Sequence, residues 1–242
     1  MGPSFPFVVL DEVDSTNNYA MSMLRHQPPE PGTAWFAHNQ KAGRGQRGRN
    51  WVSKPEMGIH MSVAIIPEAP FRADRFHLSA LTALVCHQFL SRLIPEGLSV
   101  KWPNDLYWRD RKAGGILIEN IISGDQWKWA VVGIGINLNQ ESFPSELSNA
   151  ISLKMVTDIH YDAETLAREL HQNLMDEWLH PPEPELIIDK LNRVLYKRGE
   201  EVDLQINEEI IHGRVAGVDE FGQLHINAEN PKCFRVGEVS WI

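Results

Sequence analysis

The 242-residue sequence predicts an α+β protein in two units: residues 1–196 around a mixed or antiparallel sheet with helices, then a small all-β barrel over residues 197–242. Three observations carry this. Strand-like and helix-like patterns alternate with hairpins through the first 196 residues, which excludes a pure bundle or sandwich. After Gly199 the texture changes to short strands punctuated by turn residues. Length and a hydrophobic content of 43% suit one large core plus a small one.

The elements follow in order. F-V-V-L over residues 7–10 reads as a strand. D-S-T-N-N-Y-A-M-S-M-L opens a helix with Asp14 or Ser15 as N-cap, and Pro28, Pro29, Pro31 and Gly32 break it. Residues 33–37 and 58–66 are strands on either side of a cationic loop. The longest helical pattern runs over 72–94, with Phe76, Ala80, Leu84, Val85, Phe89 and Leu93 on one side. Residues 98–101 form a short strand, and 106–108 with 113–122 a hairpin turning at R-D-R-K. A buried strand over 127–137 follows, then helices near 162–179 and 185–196 separated by P-P-E-P. The tail supplies four strands, E-E-V-D-L-Q-I, I-I-H-G-R-V-A-G-V, G-Q-L-H-I and F-R-V-G-E-V.

Composition narrows the function classes. The net charge of -9 lacks the basic footprint of a general nucleic-acid binder. No run of about 18 apolar residues predicts a membrane span, and the first residues lack the cationic-then-apolar pattern of a signal peptide. The two cysteines, Cys86 in an apolar helical pattern and Cys233, have no CxxC partner, so the expectation is a reducing cytoplasm and no zinc or redox motif. His77 and His87 lie ten apart on one helix, which is not metal-ligand spacing.

Against that acidity, K-A-G-R-G-Q-R-G-R-N-W concentrates Lys41, Arg44, Arg47 and Arg49 within nine residues, interleaved with Gly43, Gly45 and Gly48. Arginine offers a planar fork of donors to carboxylate or phosphate, and glycine joints let a loop close on a small anion. The same run also reads as a solvated loop or as a nucleic-acid segment. In K-W-P-N-D-L, Asn104 and Asp105 offer a carbonyl and a carboxylate for Mg²⁺ or an amine, or simply a turn. In R-K-A-G-G-I-L-I-E, Lys112 precedes Gly114 and Gly115, which allow close ligand approach or a solvated hairpin. V-V-G-I-G-I-N-L-N sets Gly133, Gly135 and Asn137 in a buried strand, where glycine weakens pairing unless something packs on the backbone. It does not open a helix, so it is no dinucleotide fingerprint. D-S-T-N-N caps a helix or presents hydroxyls and amides to a polar ring.

Taken in order, D-S-T-N, Q-K-A-G-R-G-Q-R-G-R-N-W, K-W-P-N-D-L, R-K-A-G-G-I-L-I-E and G-I-G-I-N-L-N resemble the biotin protein ligase family, across about residues 10–140, with the tail similar to its SH3-like C-terminal barrel. The resemblance implies a biotin ligase catalytic domain that makes biotinyl-5′-AMP from biotin and ATP with Mg²⁺. Biotin then passes to a lysine of a biotin carboxyl carrier protein. Because the motifs begin by Asp14, it implies a ligase-only member without the DNA-binding helix-turn-helix of the repressor-type members, with no DNA or membrane partner, acting as monomer or homodimer. By resemblance Ser15, Thr16, Asn17 and Gln40 meet the ureido ring and neighbouring polar atoms of biotin. Gly43, Arg44, Gln46, Arg47 and Arg49 contact ligand through the loop, and Trp51 covers the adenine side. Lys112 meets the carboxylate and acyl phosphate, Asn104 and Asp105 sit near Mg²⁺ and the incoming lysine, and Gly115, Gly133 and Asn137 line the pocket; Lys112, Arg44 and Asp105 are the catalytic candidates. One departure is Gln46, where some members carry an arginine that helps retain the adenylate; retention here falls to Gln46, to Arg47 or to another group. A lipoate or octanoate ligase of the same fold is the nearest alternative and needs an elongated apolar tunnel; a nucleic-acid module using residues 41–49 is the alternative of another class.

Overall fold

The computed structural model describes residues 5–68, 71 and 75–242. In order the elements are β1 (Phe7–Val13), α1 (Thr16–His26), β2 (Ala34–Gln40), β3 (Gly43–Arg44), β4 (Asn50–Trp51), β5 (Gly58–Ile65), α2 (Arg75–Ser91), β6 (Leu98–Lys101), β7 (Asp105–Trp108), β8 (Arg111–Ser123) and β9 (Gln126–Asn137). Then come α3 (Leu153–Thr157), α4 (Ala163–Leu179), α5 (Pro184–Arg193), β10 (Glu201–Ile206), β11 (Glu209–Val218), β12 (Leu224–Asn227), β13 (Lys232–Phe234) and β14 (Ser240–Trp241).

Seven strands form the main sheet in the order β1-β2-β5-β9-β8-β7-β6. Only β1 and β2 pair in parallel, joined by α1 as the crossover; the remaining neighbours are antiparallel. The sheet is therefore mixed, as the sequence predicts. All eight residues of β5 are buried because the strand is covered on both faces. Alternate residues divide between two cores. Ala34, Phe36, Met61, Val63 and Val132 pack with residues of α2 and α4, whereas Trp35, Ala64 and Val131 pack with Ala20 and Leu24 of α1. Because one helix covers only part of its face, the rest of that face is left for a cavity.

Several boundaries move. Strand β1 runs on to Val13 and β2 to Gln40, since their pairing continues through Val13↔Gln40. The turn at R-D-R-K is confined to Arg109 and Asp110, with Arg109 at φ 51°; Arg111 and Lys112 already pair with Trp108 and Tyr107. Residues 72–74 of the long helical pattern lie outside the described residues. Buried side chains ring α2 rather than forming one stripe, because it packs against α4, α5 and the sheet at once. The five-residue α3 is too short to show a period; Ser152 caps it, accepting from Met155 N at 3.1 Å. Asp162 caps α4 by accepting from Thr165 N at 2.6 Å, and Pro184 starts α5.

The C-terminal strands form a second sheet in the order β13-β12-β11-β10-β14. F-R-V-G-E-V is not one strand: Phe234 ends β13, and the chain returns only at Ser240 as an edge strand beside β10. This sheet is seated on the turn between β6 and β7. Trp102 Nε1 donates to Gly222 O at 3.0 Å, and Trp241 Nε1 donates to Trp102 O at 3.2 Å. Asn192 brackets Val218, donating to its carbonyl and accepting from its amide at 2.8 Å each. Cys86 is fully buried and its thiol is pushed up to about 12 by burial, so it packs as a small hydrophobe. Among the described residues, no helix is long and apolar enough to cross a membrane.

Candidate active site

A cavity of about 290 Å³ opens on the α1 face of the main sheet, between the N-terminus of α1, the β3–β4 hairpin, the ends of β7, β8 and β9, and the connection after β9. Fourteen of the sixteen sequence-selected residues line it: Ser15, Thr16, Asn17, Gln40, Arg44, Gln46, Arg49, Trp51, Asn104, Asp105, Lys112, Gly115, Gly133 and Asn137. Residues more than 120 positions apart in the chain thus share one wall.

The α1 end is a polar network. Ser15 occupies the N-cap geometrically but its side chain caps no backbone amide, so this buried hydroxyl is not consumed by the helix. Gln40 Oε1 accepts from Thr16 N at 2.8 Å and from Thr16 Oγ1 at 3.1 Å. Ser62 Oγ lies 2.7 Å from Thr16 Oγ1 and 2.6 Å from Asn17 Oδ1. An amide oxygen only accepts, so the Ser62 proton goes to Asn17. Asn17 Nδ2 donates to Leu117 O at 3.2 Å and to Glu119 Oε2 at 3.0 Å. These bonds leave the short polar side chains in fixed orientations, which is what recognition of a small polar ring requires.

The glycines of β9 make room for that network. A Cβ on Gly133 would stand 2.2 Å from Asn17 Oδ1, and one on Gly135 would stand 2.7 Å from Trp51 Cε2. The backbone of β9 is therefore the floor on which the Asn17 amide and the Trp51 ring rest. Trp51 reaches it through the small hairpin, where Gly43 pairs with Trp51 and Arg44 with Asn50.

The opposite end is cationic. Lys112 Nζ lies 2.7 Å from Asp105 Oδ1 and 5.9 Å from the centre of the Trp51 ring. Asp105 is the sole carboxylate among the residues lining the cavity. Arg44 instead reaches back to the α1 end, where its Nη1 bonds Glu119 Oε1 and Asn18 Oδ1, both at 2.9 Å. Asn104 Nδ2 donates to Ile116 O at 2.6 Å, and Asn137 Nδ2 to Ile151 O at 3.1 Å. Both motif asparagines thus brace the walls as well as lining them. Just behind Asp105, Lys101 Nζ stands 4.6 Å from the Tyr107 ring and 5.2 Å from each of the Tyr196 and Trp241 rings. Burial pulls Lys101 down to about 8, against the pull of Asp105, which favours its charge.

Two selected residues lie elsewhere. Gly43 is buried within the hairpin, and a Cβ there would meet Trp51 O at 2.5 Å. Arg47 sits in the left-handed region at φ 57°, which turns its guanidinium away from the cavity and onto Gly237 before β14. Gln46 thus faces the cavity and Arg47 does not. Sequence reasoning missed Gly45, Asn50, Val52, Ile116, Leu117, Ile134, Gly135, Phe143, Leu147 and Ala150 in the lining, and Ser62 and Glu119 behind it. Gly135 was findable, being two residues from Gly133 on one strand face. Phe143, Leu147 and Ala150 were not, because the connection after β9 has no period to read. Among the described residues, no three His, Cys, Asp or Glu side chains gather to hold a metal.

Comparison with known proteins places this cavity in context. Residues 9–137 match the model of the biotin/lipoate A/B protein ligase family. The chain is 32% identical over 243 residues to the bifunctional ligase/repressor BirA of Escherichia coli, covering 96% of this chain and 73% of that protein. It is 36% identical over 141 residues to the protein of the same name from Bacillus spizizenii, a match spanning only 43% of that relative. The fold superposes on the biotin protein ligase of Aquifex aeolicus in complex with biotin and ATP, with TM-score 0.81, 29% identity and 98% of each chain covered.

Proposed function

We infer that this chain, which belongs to the biotin/lipoate A/B protein ligase family, is an ATP-dependent biotin protein ligase. In this reading it activates biotin as biotinyl-5′-AMP and transfers it to a lysine of a biotin carboxyl carrier protein. The observation that carries this is the two-ended cavity: fixed short polar groups and the Arg44 guanidinium at the α1 end, and Arg49 and Lys112 with one carboxylate at the other. A urea-like ring carrying an acid chain, facing a nucleoside triphosphate, has that distribution of polarity. Residues 1–196 act as the catalytic domain, and 197–242 as a C-terminal unit seated against the turn at Trp102.

In the first step Ser15, Thr16, Asn17 and Gln40 orient the ureido ring. A carboxylate oxygen of biotin attacks the α-phosphorus of ATP; that P–O bond forms, the bond to the β-phosphate breaks, and pyrophosphate leaves. Both reactants are anions, so the step needs fixed cations, and Lys112 and Arg44 supply them without reorganisation. Asp105 and the Asn104 carbonyl oxygen would hold magnesium brought in with ATP, whose charge would offset that of the phosphates. In the second step the ε-amine of the acceptor lysine attacks the acyl carbon and AMP leaves. Asp105 is placed to orient that amine and take its proton. The Trp51 ring and the hairpin shield the mixed anhydride from water. The test is pyrophosphate release with ATP and either biotin or lipoate. Release driven by biotin is expected; equal or greater release with lipoate would sink the biotin assignment.

A further inference from the structure

We propose that Glu119 is a positioning residue for adenylation: one carboxylate that holds the Arg44 guanidinium and the Asn17 amide together, and so fixes the cationic hairpin against the N-terminal end of α1. The proposal rests on the biotin-ligase reading. Glu119 does not line the cavity. Its two oxygens divide the work: Oε1 pairs with Arg44 Nη1 at 2.9 Å, and Oε2 accepts from Asn17 Nδ2 at 3.0 Å.

Each arm is held at its far end. Asn17 Oδ1 accepts from Ser62 Oγ at 2.6 Å, and the Asn17 amide lies on Gly133. Arg44 Nη1 also meets Asn18 Oδ1 at 2.9 Å, so a single nitrogen of the guanidinium makes both contacts. Arg44 thus ties the cationic hairpin to α1 twice, directly through Asn18 and through Glu119 to Asn17. Glu119 is about one-fifth exposed and Arg44 about one-half. An isolated pair so placed contributes little to folding. Its value lies in orientation, because a guanidinium pinned through one nitrogen still has Nε and the other terminal nitrogen for an anion. Glu119 ends the R-K-A-G-G-I-L-I-E motif, and its distance from Lys112 along β8 sets it across the cavity from the lysine.

The test is a double-mutant cycle on Arg44→Ala and Glu119→Gln, with thermal melting confirming that all four proteins are folded. Glutamine keeps the shape and removes the charge. kcat/KM for ATP in biotin-dependent pyrophosphate release is expected to fall about tenfold in Glu119→Gln and about a hundredfold in Arg44→Ala. At saturating biotin, where the Asn17 arm no longer limits, the double variant should be no worse than Arg44→Ala alone, because Glu119 then acts through Arg44. Biotin Kd in Glu119→Gln should also rise several-fold through Asn17. Additive losses, an unchanged Glu119→Gln, or tighter ATP use in that variant would each overturn the proposal, the last because it would make Glu119 a brake on Arg44. Titration calorimetry with ATP alone carries the same cycle without biotin turnover. A wild type that shows no biotin-dependent release therefore refutes the biotin reading, while the coupling between Arg44 and Glu119 is still decided by ATP binding.

Discussion

At the scale of single residues, Lys112 shows how a side chain can matter for chemistry and hardly for folding. The sequence set it at a glycine-rich hairpin; the structure sets it in β8, with its backbone bonded to the connection after β9 through Lys112 N to Asn149 O at 2.7 Å and Ile151 N to Lys112 O at 2.9 Å. Those bonds survive truncation of the side chain. What Lys112→Ala removes is an ammonium one-third exposed and paired with Asp105, and a pair so exposed contributes about 1 kcal/mol or less to stability. The same ammonium beside a developing acyl phosphate is expected to contribute about 3 kcal/mol to the barrier, roughly a hundredfold in rate. Lys112→Ala should melt within a few degrees of wild type and release pyrophosphate about a hundredfold more slowly. Turnover near wild type would remove Lys112 from the site.

At the scale of elements, the strands around the cavity explain what the sequence could and could not announce. The polar and cationic motifs were legible through their combination and order along the chain, since each alone, such as D-S-T-N-N at a helix start or arginines between glycines, reads equally as a cap, a turn or a solvated loop. The supports were not legible. Ser62 reads as an ordinary member of a buried strand, and its role appears only when pairing sets it opposite Gly133. Arg47 reads like its neighbours in the cationic run, and only the left-handed turn at that position sends it to Gly237 instead. The glycines of β9 lie between these cases, since glycine in a buried strand signals close approach without saying of what. With the partner now identified, Gly133→Ala has a definite consequence. The added methyl would stand 2.2 Å from Asn17 Oδ1, closer than any tolerated contact, so the Asn17 amide must leave its place on the sheet. Biotin binding by titration calorimetry is expected to weaken at least tenfold, whereas the C-terminal sheet should be undisturbed. Unchanged biotin affinity would mean that Asn17 takes no part in recognition.

At the scale of the whole molecule, burial of ionisable groups makes stability depend on pH. His60 lies in β5 at the centre of the main sheet, 1% exposed. Burial pulls it down to about 4, with the Ala37 backbone opposing. His87 and His171 are lowered as well, each first by burial. An unfolded histidine titrates near 6.5. Between about pH 6.5 and 4 the unfolded chain therefore binds a proton that folded His60 refuses, so stability must fall as pH drops through that window. Above it both forms are neutral and the contribution is constant. For a fully buried ring the loss is on the order of 3 kcal/mol at the bottom of the window. Carboxylates held low, such as Asp162 by its bonds to Thr165, add their own loss only at more acidic pH. The two sets can thus be separated by where the slope lies. Urea unfolding of the wild type should show stability declining from pH 6.5 to 4. His60→Leu should flatten that decline, though at pH 7 it can be less stable than wild type through altered packing. A variant whose pH slope matches wild type across that window would show that the proton uptake comes from other groups, and that His60 is not the ring the unfolded state protonates.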